Sequence, residues 1–439
     1  MTPEENELLA RVEGNAPMGQ IFRRHWMPAC LSEEVAEPDG DPVRVRLLGE
    51  NLVAFRDSDG RVGLVDEHCP HRRASLFYGR NEEAGLRCLY HGWKFDVEGN
   101  CLEMASEPAE SSFCDKVKLK SYPVVERGGF VWTYMGPRET MPAFDPPVIS
   151  PAPDTPISTT KVIVEANWAQ LVEGSLDSAH TSHLHADEFR PAPVASAESD
   201  GKTWQRPSTD KSPRLFVDRT SFGMRYAAIR RPIKDAATHE YVRTTLYIAP
   251  YTVHIPPNNR HELTAMFLPR DDNSGILYLS AWGGKQTPSL AEWREFIRLQ
   301  VGIDVDAGYR NLRNRGNDYL QDRKAMKLGS MSGIKGIINQ DIFTFETMGS
   351  IAQRHRERLG ASDLAIVEFR KLMVEAARTV AAGGPAIGTT QPRIPHAELR
   401  SFEGVVAKSL DWRELGKTAT EIEITRQQEA AAGRKSAAE

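Results

Sequence analysis

Cys69-Pro70-His71 and Cys88-Leu89-Tyr90-His91 are the two stretches of this 439-residue chain that decide its fold. Each stretch supplies one thiol and one imidazole, and sixteen residues separate the two. Two thiolates and two imidazoles suit a two-iron cluster in which the thiolates hold one iron and the imidazoles hold the other. Neutral imidazoles raise the reduction potential of such a cluster. The pattern therefore predicts a [2Fe-2S] centre that accepts electrons readily and passes them on.

A structural zinc site is the competing interpretation, because two Cys and two His also bind Zn²⁺ tetrahedrally. Zinc motifs more often pair Cys with Cys and His with His, whereas each loop here provides one of each. The flanking His71-Arg72 and Gly92-Trp93 resemble the Rieske signature of ring-hydroxylating oxygenases. We therefore expect a Rieske [2Fe-2S] cluster. Its predicted ligands are Cys69, His71, Cys88 and His91.

Composition and charge are those of a soluble globular protein. The length exceeds that of an average domain, so two domains are expected. The formal charge of −5 provides no basic field for nucleic acid. No apolar run approaches a membrane span, and residues 1–5 are acidic where a signal peptide would be basic. We expect a cytoplasmic protein with no nucleic-acid or membrane partner.

Secondary-structure patterns change along the chain. Short alternating apolar runs dominate residues 43–134 and predict a small β domain around the cluster loops. Seven prolines lie between Pro137 and Pro156, a density that favours a domain boundary. The predicted divisions are an N-terminal segment over residues 1–36, a cluster domain over 37–140, a catalytic domain over 141–417 and a tail over 418–439.

The region after the boundary mixes two kinds of pattern. Residues 167–185 and most of residues 290–326 predict helices. Residues 219–229 and 240–248 predict strands. The expected fold class is therefore α+β.

A second group of candidate metal ligands consists of Asp177, His180, His183 and His185. On a helix Asp177 and His180 share one face, but His185 converges with them only if the helix ends or bends near Thr181. Two His and one carboxylate would form a facial triad that leaves positions on Fe(II) open for O2. A polar surface or a structural network is the commoner role of clustered histidines on a helix.

Asp-x-x-His followed by a further His, together with the cluster loops, resembles the Rieske non-haem iron aromatic-ring-hydroxylating oxygenases. The resemblance implies that His180 and His185 bind a mononuclear Fe(II), and that Asp177 links this iron to the cluster. Spacing leaves His183 open as a ligand, although we expect it to be exposed or to lie behind the ligands. The resemblance also implies an N-terminal all-β Rieske domain and a C-terminal helix-grip domain, in which helices pack on an antiparallel sheet.

The third iron ligand in this family is a carboxylate far downstream, and residues 339–346 match its place. Asp341 is our prediction and Glu346 is the lesser alternative. The resemblance further implies a head-to-tail homotrimer, or a stacked double trimer, that brings the cluster of one subunit beside the iron of the next. Asp177 would lie at that junction and accept a hydrogen bond from His71 or His91 of the neighbour.

The source of electrons must lie outside the chain. No Gly-x-Gly-x-x-Gly follows a strand pattern and no flavin motif is evident. We expect a separate NADH-dependent reductase that carries flavin and an iron-sulfur centre. A Rieske electron carrier without catalytic iron is the alternative of a different class, and the roughly 280 residues after the boundary argue against it.

Arg206 and Arg243 are the candidate substrate-binding residues. A guanidinium binds a carboxylate through paired hydrogen bonds, so two converging arginines suit an aromatic dicarboxylate. An internal salt bridge is the commoner role of any single arginine. Stretches outside the metal sites, such as residues 206–211 and 359–365, resemble the phthalate-dioxygenase branch of the family.

The resemblance to that branch implies cis-4,5-dihydroxylation of phthalate by O2, with Arg206 and Arg243 on the two carboxylates and Ser178 offering a hydroxyl. Other aromatic acids are the alternatives within the family, namely isophthalate, sulfobenzoate and chlorobenzoate. A monooxygenase or an aromatic O-demethylase is the alternative reaction.

Overall fold

The computed structural model describes residues 1–108, 110–145, 155–199, 204–256, 261–283, 287–391, 393–396 and 399–416. The predicted tail over residues 418–439 and part of the proline-rich stretch lie outside these described residues. Within them, no helix has the length and apolar character needed to cross a membrane.

Short antiparallel strands form the part of the chain around the two Cys-His loops. The strands are short because turn residues interrupt the alternating runs every few residues. They belong to three sheets. The strands are Trp26–Leu31, Phe130–Tyr134 and Val124–Arg127 in one sheet, Val43–Leu47, Glu50–Arg56, Val62–Asp66 and Ser121–Tyr122 in the second, and Arg80–Glu82, Gly85–Arg87, Trp93–Phe95 and Cys101–Met104 in the third. The predicted all-β character of this part is confirmed.

The Cys-His loops rest on a small core of their own. The side chains of Cys69 and Cys88 pack there with Phe55, Leu86 and Phe95, apart from the main core. The first loop follows the strand Val62–Asp66, and the second connects Gly85–Arg87 to Trp93–Phe95. Apolar packing beneath the loops therefore holds both thiols at one end of the strands.

One antiparallel sheet of eight strands forms the second part of the molecule. Across the sheet the strands run Ile157–Val164, Gly275–Trp282, Glu262–Pro269, Thr252–Ile255, His239–Ile248, Gly223–Arg230 and Arg214–Thr220, and Phe402–Ala407 pairs with His239–Ile248. Every residue of Gly275–Trp282, the strand next to the edge strand Ile157–Val164, is buried, so both faces of the sheet are covered at this strand. A small sheet of Phe189–Pro191, Trp204–Arg206 and Glu198–Ser199 lies apart from it.

The helices cover the large sheet. They are Pro3–Ala10, Pro17–Arg23, Trp168–Leu176, Leu290–Ile297, Arg323–Lys327, Ile337–Thr347 and Leu364–Ala381. The first two contact the last, so these two N-terminal helices pack on the second part of the molecule, whereas Trp26–Leu31 belongs to the first part. The predicted α+β class, with helices on an antiparallel sheet, is confirmed.

Three sequence predictions were wrong in extent. The helix predicted over residues 167–185 ends at Leu176, because the chain turns at Asp177. Most of the helix predicted over residues 290–326 is absent from the described chain, since Arg298 adopts a φ of 57° and ends Leu290–Ile297. The strand predicted over residues 219–229 is a hairpin, because the chain reverses between Thr220 and Gly223.

Candidate metal centres and adjoining cavity

His180, His185 and Asp341 converge on one point. The Nε2 atoms of the two histidines lie 3.1 Å apart. Oδ1 of Asp341 lies 3.4 Å from Nε2 of His180 and 3.1 Å from Nε2 of His185. Two imidazoles and one carboxylate are the donor set that binds non-haem Fe(II) on one side and leaves the other side open. The three residues therefore fit a mononuclear iron.

The turn at Asp177 brings the two histidines together. Oδ1 of Asp177 accepts the backbone N–H groups of Ala179, at 2.8 Å, and His180, at 3.2 Å. These side-chain bonds compete with helical backbone bonds and end the helix at Leu176. A single 3-10 turn, His180–Ser182, follows. The chain between the histidines is therefore compact enough for both rings to face one point.

The helix Ile337–Thr347 supplies the remaining carboxylate and also orients His185. Gln340 donates its amide N–H to the carbonyl oxygen of Ile334 at 2.7 Å, which fixes the position of its Oε1. That oxygen lies 2.6 Å from Nδ1 of buried His185. Gln340 thus accepts a hydrogen bond from Nδ1 of His185, and Nε2 of the same ring is directed to the convergence point. Asp341 is the next residue on the same helix.

Charge accumulates where the ligands converge. Burial lowers the pKa of His180, but hydrogen bonds that its ring donates to the carboxylates of Asp177 and Asp341 outweigh burial and raise that pKa to about 9. Burial raises the pKa of Asp341, but the charges of His185 and His180 hold it well below its ordinary value. Without a metal, His180 is therefore protonated at neutral pH.

The two alternative ligands do not join this group. His183 is exposed. Glu346 is buried, and its carboxylate accepts hydrogen bonds from the Tyr319 hydroxyl at 2.8 Å and from the backbone N–H of Glu165 at 3.0 Å. Structural hydrogen bonds therefore occupy the lesser carboxylate candidate.

The side chains of the Cys-His loops fit a [2Fe-2S] cluster. Cys69 and Cys88 are buried, and the rings of His71 and His91 lie with their centroids 4.4 Å apart. His71 stacks on Trp93 with 9° between the ring planes. Nδ1 of His91 is buried and has no hydrogen-bond partner among the described residues. Such an atom is costly unless a ligand or a metal satisfies it.

A cavity of about 140 Å³ adjoins His180, His185 and Asp341. An apolar cavity of about 150 Å³ holds benzene, so this one suits a single aromatic ring. Its apolar walls include Leu171, Phe189, Leu263, Phe267 and Leu277. Its polar wall residues include Asp177, Ser178, Arg243, Thr245 and Glu403.

The two predicted arginines differ in position. Arg243 lines the cavity, and its Nε lies 3.4 Å from a carboxylate oxygen of Glu403. Arg206 is buried behind the wall, where both Nη atoms donate to the Thr181 hydroxyl at 3.2 and 3.1 Å. Arg206 is not among the residues that line the described cavity. Arg206 therefore acts on the cavity indirectly, by holding the hydroxyl of Thr181, which lines the cavity.

A third buried arginine, Arg230, was missed in the sequence. Register pairs Arg230 with Tyr241 and Ala228 with Arg243, so both arginines lie on one face of the sheet. Arg206 and Arg230 form no ion pair with any described carboxylate, whereas Arg243 pairs with Glu403. Alternation along the strand Gly223–Arg230 shows that Arg230 and Ala228 lie on the same face. Only the pairing with the strand His239–Ile248 shows that Arg243 lies on that face too.

Comparison with known proteins identifies the family. Residues 25–123 match the model of the Rieske [2Fe-2S] domain, and residues 133–435 match the LigXa C-terminal domain like model. The chain is 58% identical over 415 residues to the phthalate 4,5-dioxygenase oxygenase subunit of Pseudomonas putida, covering 94% of each chain. The chain belongs to the Rieske non-haem iron oxygenases.

Further relatives agree with this membership. The 3-chlorobenzoate-3,4-dioxygenase oxygenase subunit of Comamonas testosteroni is 34% identical, covering 93% of this chain and 96% of that one. The crystal structure of dicamba monooxygenase bound to dicamba has a TM-score of 0.56 at 18% identity, covering 82% of this chain and 98% of that one. The predicted fold is confirmed, and this Rieske oxygenase carries a Rieske [2Fe-2S] cluster and a mononuclear iron.

Replacing Asp341 tests the assignment of the mononuclear iron ligands. We expect Asp341→Ala to lower the iron content from about three to about two atoms per chain, because one ligand is lost and the cluster stays. Metal analysis measures the iron, and the visible spectrum reports the cluster. The matched control Glu346→Gln should keep all the iron. Full iron content in Asp341→Ala would remove Asp341 from the triad.

The raised pKa of His180 predicts pH-dependent metal binding. Fe(II) binds a neutral imidazole, so it must displace the proton that His180 holds below about pH 9. We expect the apparent Kd for Fe(II) to fall about tenfold per pH unit between about pH 6 and pH 8. Anaerobic titration of protein that has its cluster but lacks mononuclear iron measures this Kd. A Kd that does not change with pH would contradict the assigned protonation.

Proposed function

We propose that this Rieske oxygenase is the oxygenase component of a multicomponent dioxygenase that converts phthalate to its cis-4,5-dihydrodiol. The observation that carries the proposal is the position of Arg243, which lines the same cavity as His180, His185 and Asp341. A carboxylate held by Arg243 would keep an aromatic ring beside the mononuclear iron. The 58% identity to the phthalate 4,5-dioxygenase oxygenase subunit supports the choice of substrate.

The charge around the cavity favours a dianion. Three guanidinium groups, those of Arg206, Arg230 and Arg243, are buried near the cavity, and only that of Arg243 pairs with a described carboxylate, that of Glu403, so two positive charges have no described counter-ion. Buried charges without partners are costly, so an anion that neutralises both is preferred. Phthalate carries two carboxylates. Chlorobenzoate carries one, and this difference favours the dicarboxylate over the substrate named for the Comamonas relative.

Each residue of the anion site has a distinct role in the proposal. Arg243 binds one carboxylate through its Nη groups, because its Nε faces Glu403. The Ser178 hydroxyl, at the cavity wall, donates to a carboxylate oxygen. Arg206 holds the second carboxylate by way of Thr181, whose hydroxyl it orients. The apolar walls hold the ring and exclude water.

Two bound metal centres supply the redox chemistry. Fe(II) on the two histidines and Asp341 would activate O2, and the cluster on Cys69, His71, Cys88 and His91 would supply electrons. The protein contributes orientation, since Gln340 directs His185 and Asp177 directs His180. The apparent lack of a nucleotide-binding motif supports a separate NADH-dependent reductase with flavin and iron-sulfur centres. We also propose that residues 37–140 form the cluster domain and residues 141–417 the catalytic domain.

We also propose that electrons cross a subunit boundary in a head-to-tail homotrimer or in two stacked trimers. The second cluster loop carries Leu89 and Tyr90, which are 62% and 54% exposed. A groove lined by His183, Leu215 and Ala361 opens beside His180. Exposed apolar side chains mark protein contacts. A loop docked in the groove of its neighbour would place a cluster histidine near Asp177.

Asp177→Asn tests the role of Asp177 between the two metal centres. Asparagine is isosteric but uncharged, so both metals should stay while product formation falls about 10- to 100-fold, as for other partners of metal-bound histidines. Iron content, the cluster spectrum and turnover with a reductase are measured together. The exposed turn residue Asp235 provides the control Asp235→Asn, which should behave as wild type. Near-normal turnover of Asp177→Asn would contradict the role.

Turnover of phthalate, isophthalate, terephthalate and benzoate tests the substrate. Product analysis should find the cis-dihydrodiol from phthalate. Arg243→Met should raise the KM for phthalate by about a hundredfold, because truncating one partner of a buried charge pair costs about 2–5 kcal/mol. Arg214→Met, at an exposed arginine, should leave KM unchanged.

Two outcomes would redirect the proposal. Dihydrodiol from another acid but not from phthalate would overturn the substrate. A demethylated or monohydroxylated product would move the reaction to the monooxygenase alternative.

A further inference from the structure

Arg230 ends the strand Gly223–Arg230 with only 2% of its surface exposed. No described carboxylate pairs with it, and its Nε has no hydrogen-bond partner among the described residues. Burial lowers the pKa of Arg230 to about 9, and the neighbouring charges of Arg206 and Arg243 add to this effect. A buried charge without a counter-ion costs free energy of folding. We therefore expect Arg230 to serve a purpose other than stability.

The hydrogen bonds of Arg230 converge on Ser178. Its Nη2 donates to the backbone carbonyl of Ser178 at 2.6 Å, and its Nη1 donates to the Ser178 hydroxyl at 3.3 Å. The same carbonyl accepts the Thr181 hydroxyl at 2.9 Å, and that hydroxyl accepts Arg206. Two buried arginines therefore hold one short turn.

This turn carries the groups on which electron delivery depends in the proposed function. Asp177 directly precedes Ser178, and its Oδ2 lies 3.6 Å from Nδ1 of His180. Ser178 also lines the cavity. An anion bound in the cavity would therefore meet the hydroxyl that Arg230 holds, while Arg230 holds the backbone of the same residue.

We propose that Arg230 is a positioning residue that couples anion binding in the cavity to the Asp177 and His180 turn. The inference rests on the proposed function. A bound dicarboxylate supplies the counter-charge that the buried arginines lack, so the charge-assisted bonds from Arg230 to Ser178 strengthen. The Asp177 carboxylate and the His180 ring are then held for electron transfer only when substrate is present.

The test is a single turnover of the complete enzyme. Both metal centres are reduced chemically without O2, the enzyme is mixed with O2 in the presence or absence of phthalate, and cluster reoxidation is followed by visible absorption. The informative quantity is the ratio of the rates with and without phthalate. A purely structural role would not change this ratio in a variant that keeps its metals and is saturated with phthalate.

We expect Arg230→Met to keep its metals and to bind phthalate more weakly, because one buried positive charge is lost, while the ratio measured at saturating phthalate falls about tenfold through loss of the charge-assisted bonds. Arg230→Lys keeps the charge and should recover most of the ratio. Arg231→Met alters the exposed neighbour and should match wild type. If Arg230→Met does not fold, Arg230→Gln replaces it in the test. Glutamine keeps a neutral hydrogen-bond donor, and the ratio should fall as it does for Arg230→Met.

A double variant tests the route of the effect. Arg230→Met combined with Asp177→Asn should be no slower than Asp177→Asn alone, because both act through one turn. An unchanged ratio in Arg230→Met, or additive losses in the double variant, would overturn the inference alone, provided that wild type forms dihydrodiol from phthalate. Wild-type enzyme that forms no dihydrodiol would overturn the proposed function and this inference with it.

Discussion

The carboxylate of Asp177 makes the hydrogen bonds on which the geometry of the site depends. By accepting the backbone N–H groups of Ala179 and His180, it stops the helix at Leu176. In a continuous helix, residues five apart point in different directions, so His180 and His185 could not share a metal. The same side chain also approaches the ring of His180. One residue thus brings the candidate iron ligands together, and in the proposed function it also offers a path for electrons to them.

The surroundings hold this turn from two sides. The helix Ile337–Thr347 provides Gln340 and Asp341 in succession, so one element orients His185 and supplies the carboxylate. The buried arginines hold Ser178 and Thr181 from the sheet. In the proposed function, the residues that bind substrate charge, orient the iron ligands and carry electrons therefore lie within a few positions of one another. This arrangement would limit the reaction with O2 to enzyme molecules that hold an aromatic acid in the cavity.

The parts of the site that are close in sequence could be predicted from it. The predicted cluster ligands lie in two short motifs, and His180 and His185 follow Asp177 within eight residues, although the helix was predicted to continue to His185. Asp341 came from family resemblance, because nothing in residues 339–346 specifies its distance from the histidines.

The parts that depend on tertiary structure were harder to predict. Arg243 could be placed on a sheet face by alternation, but its pairing with Glu403 depends on the strand Phe402–Ala407 near the end of the chain. Arg230 went unnoticed because strand register, which brings it beside Arg243, is not readable from one strand. The predicted helix over residues 290–326 was wrong since a left-handed Arg298 is a tertiary outcome rather than a propensity.

The most direct test of the account is a crystal structure of the iron-loaded enzyme with phthalate, with iron located by anomalous scattering. We expect a mononuclear iron bound by His180, His185 and Asp341, and a phthalate carboxylate on Arg243 with the ring edge facing that iron. Iron bound by other residues, or phthalate bound with its carboxylates away from the buried arginines, would contradict it.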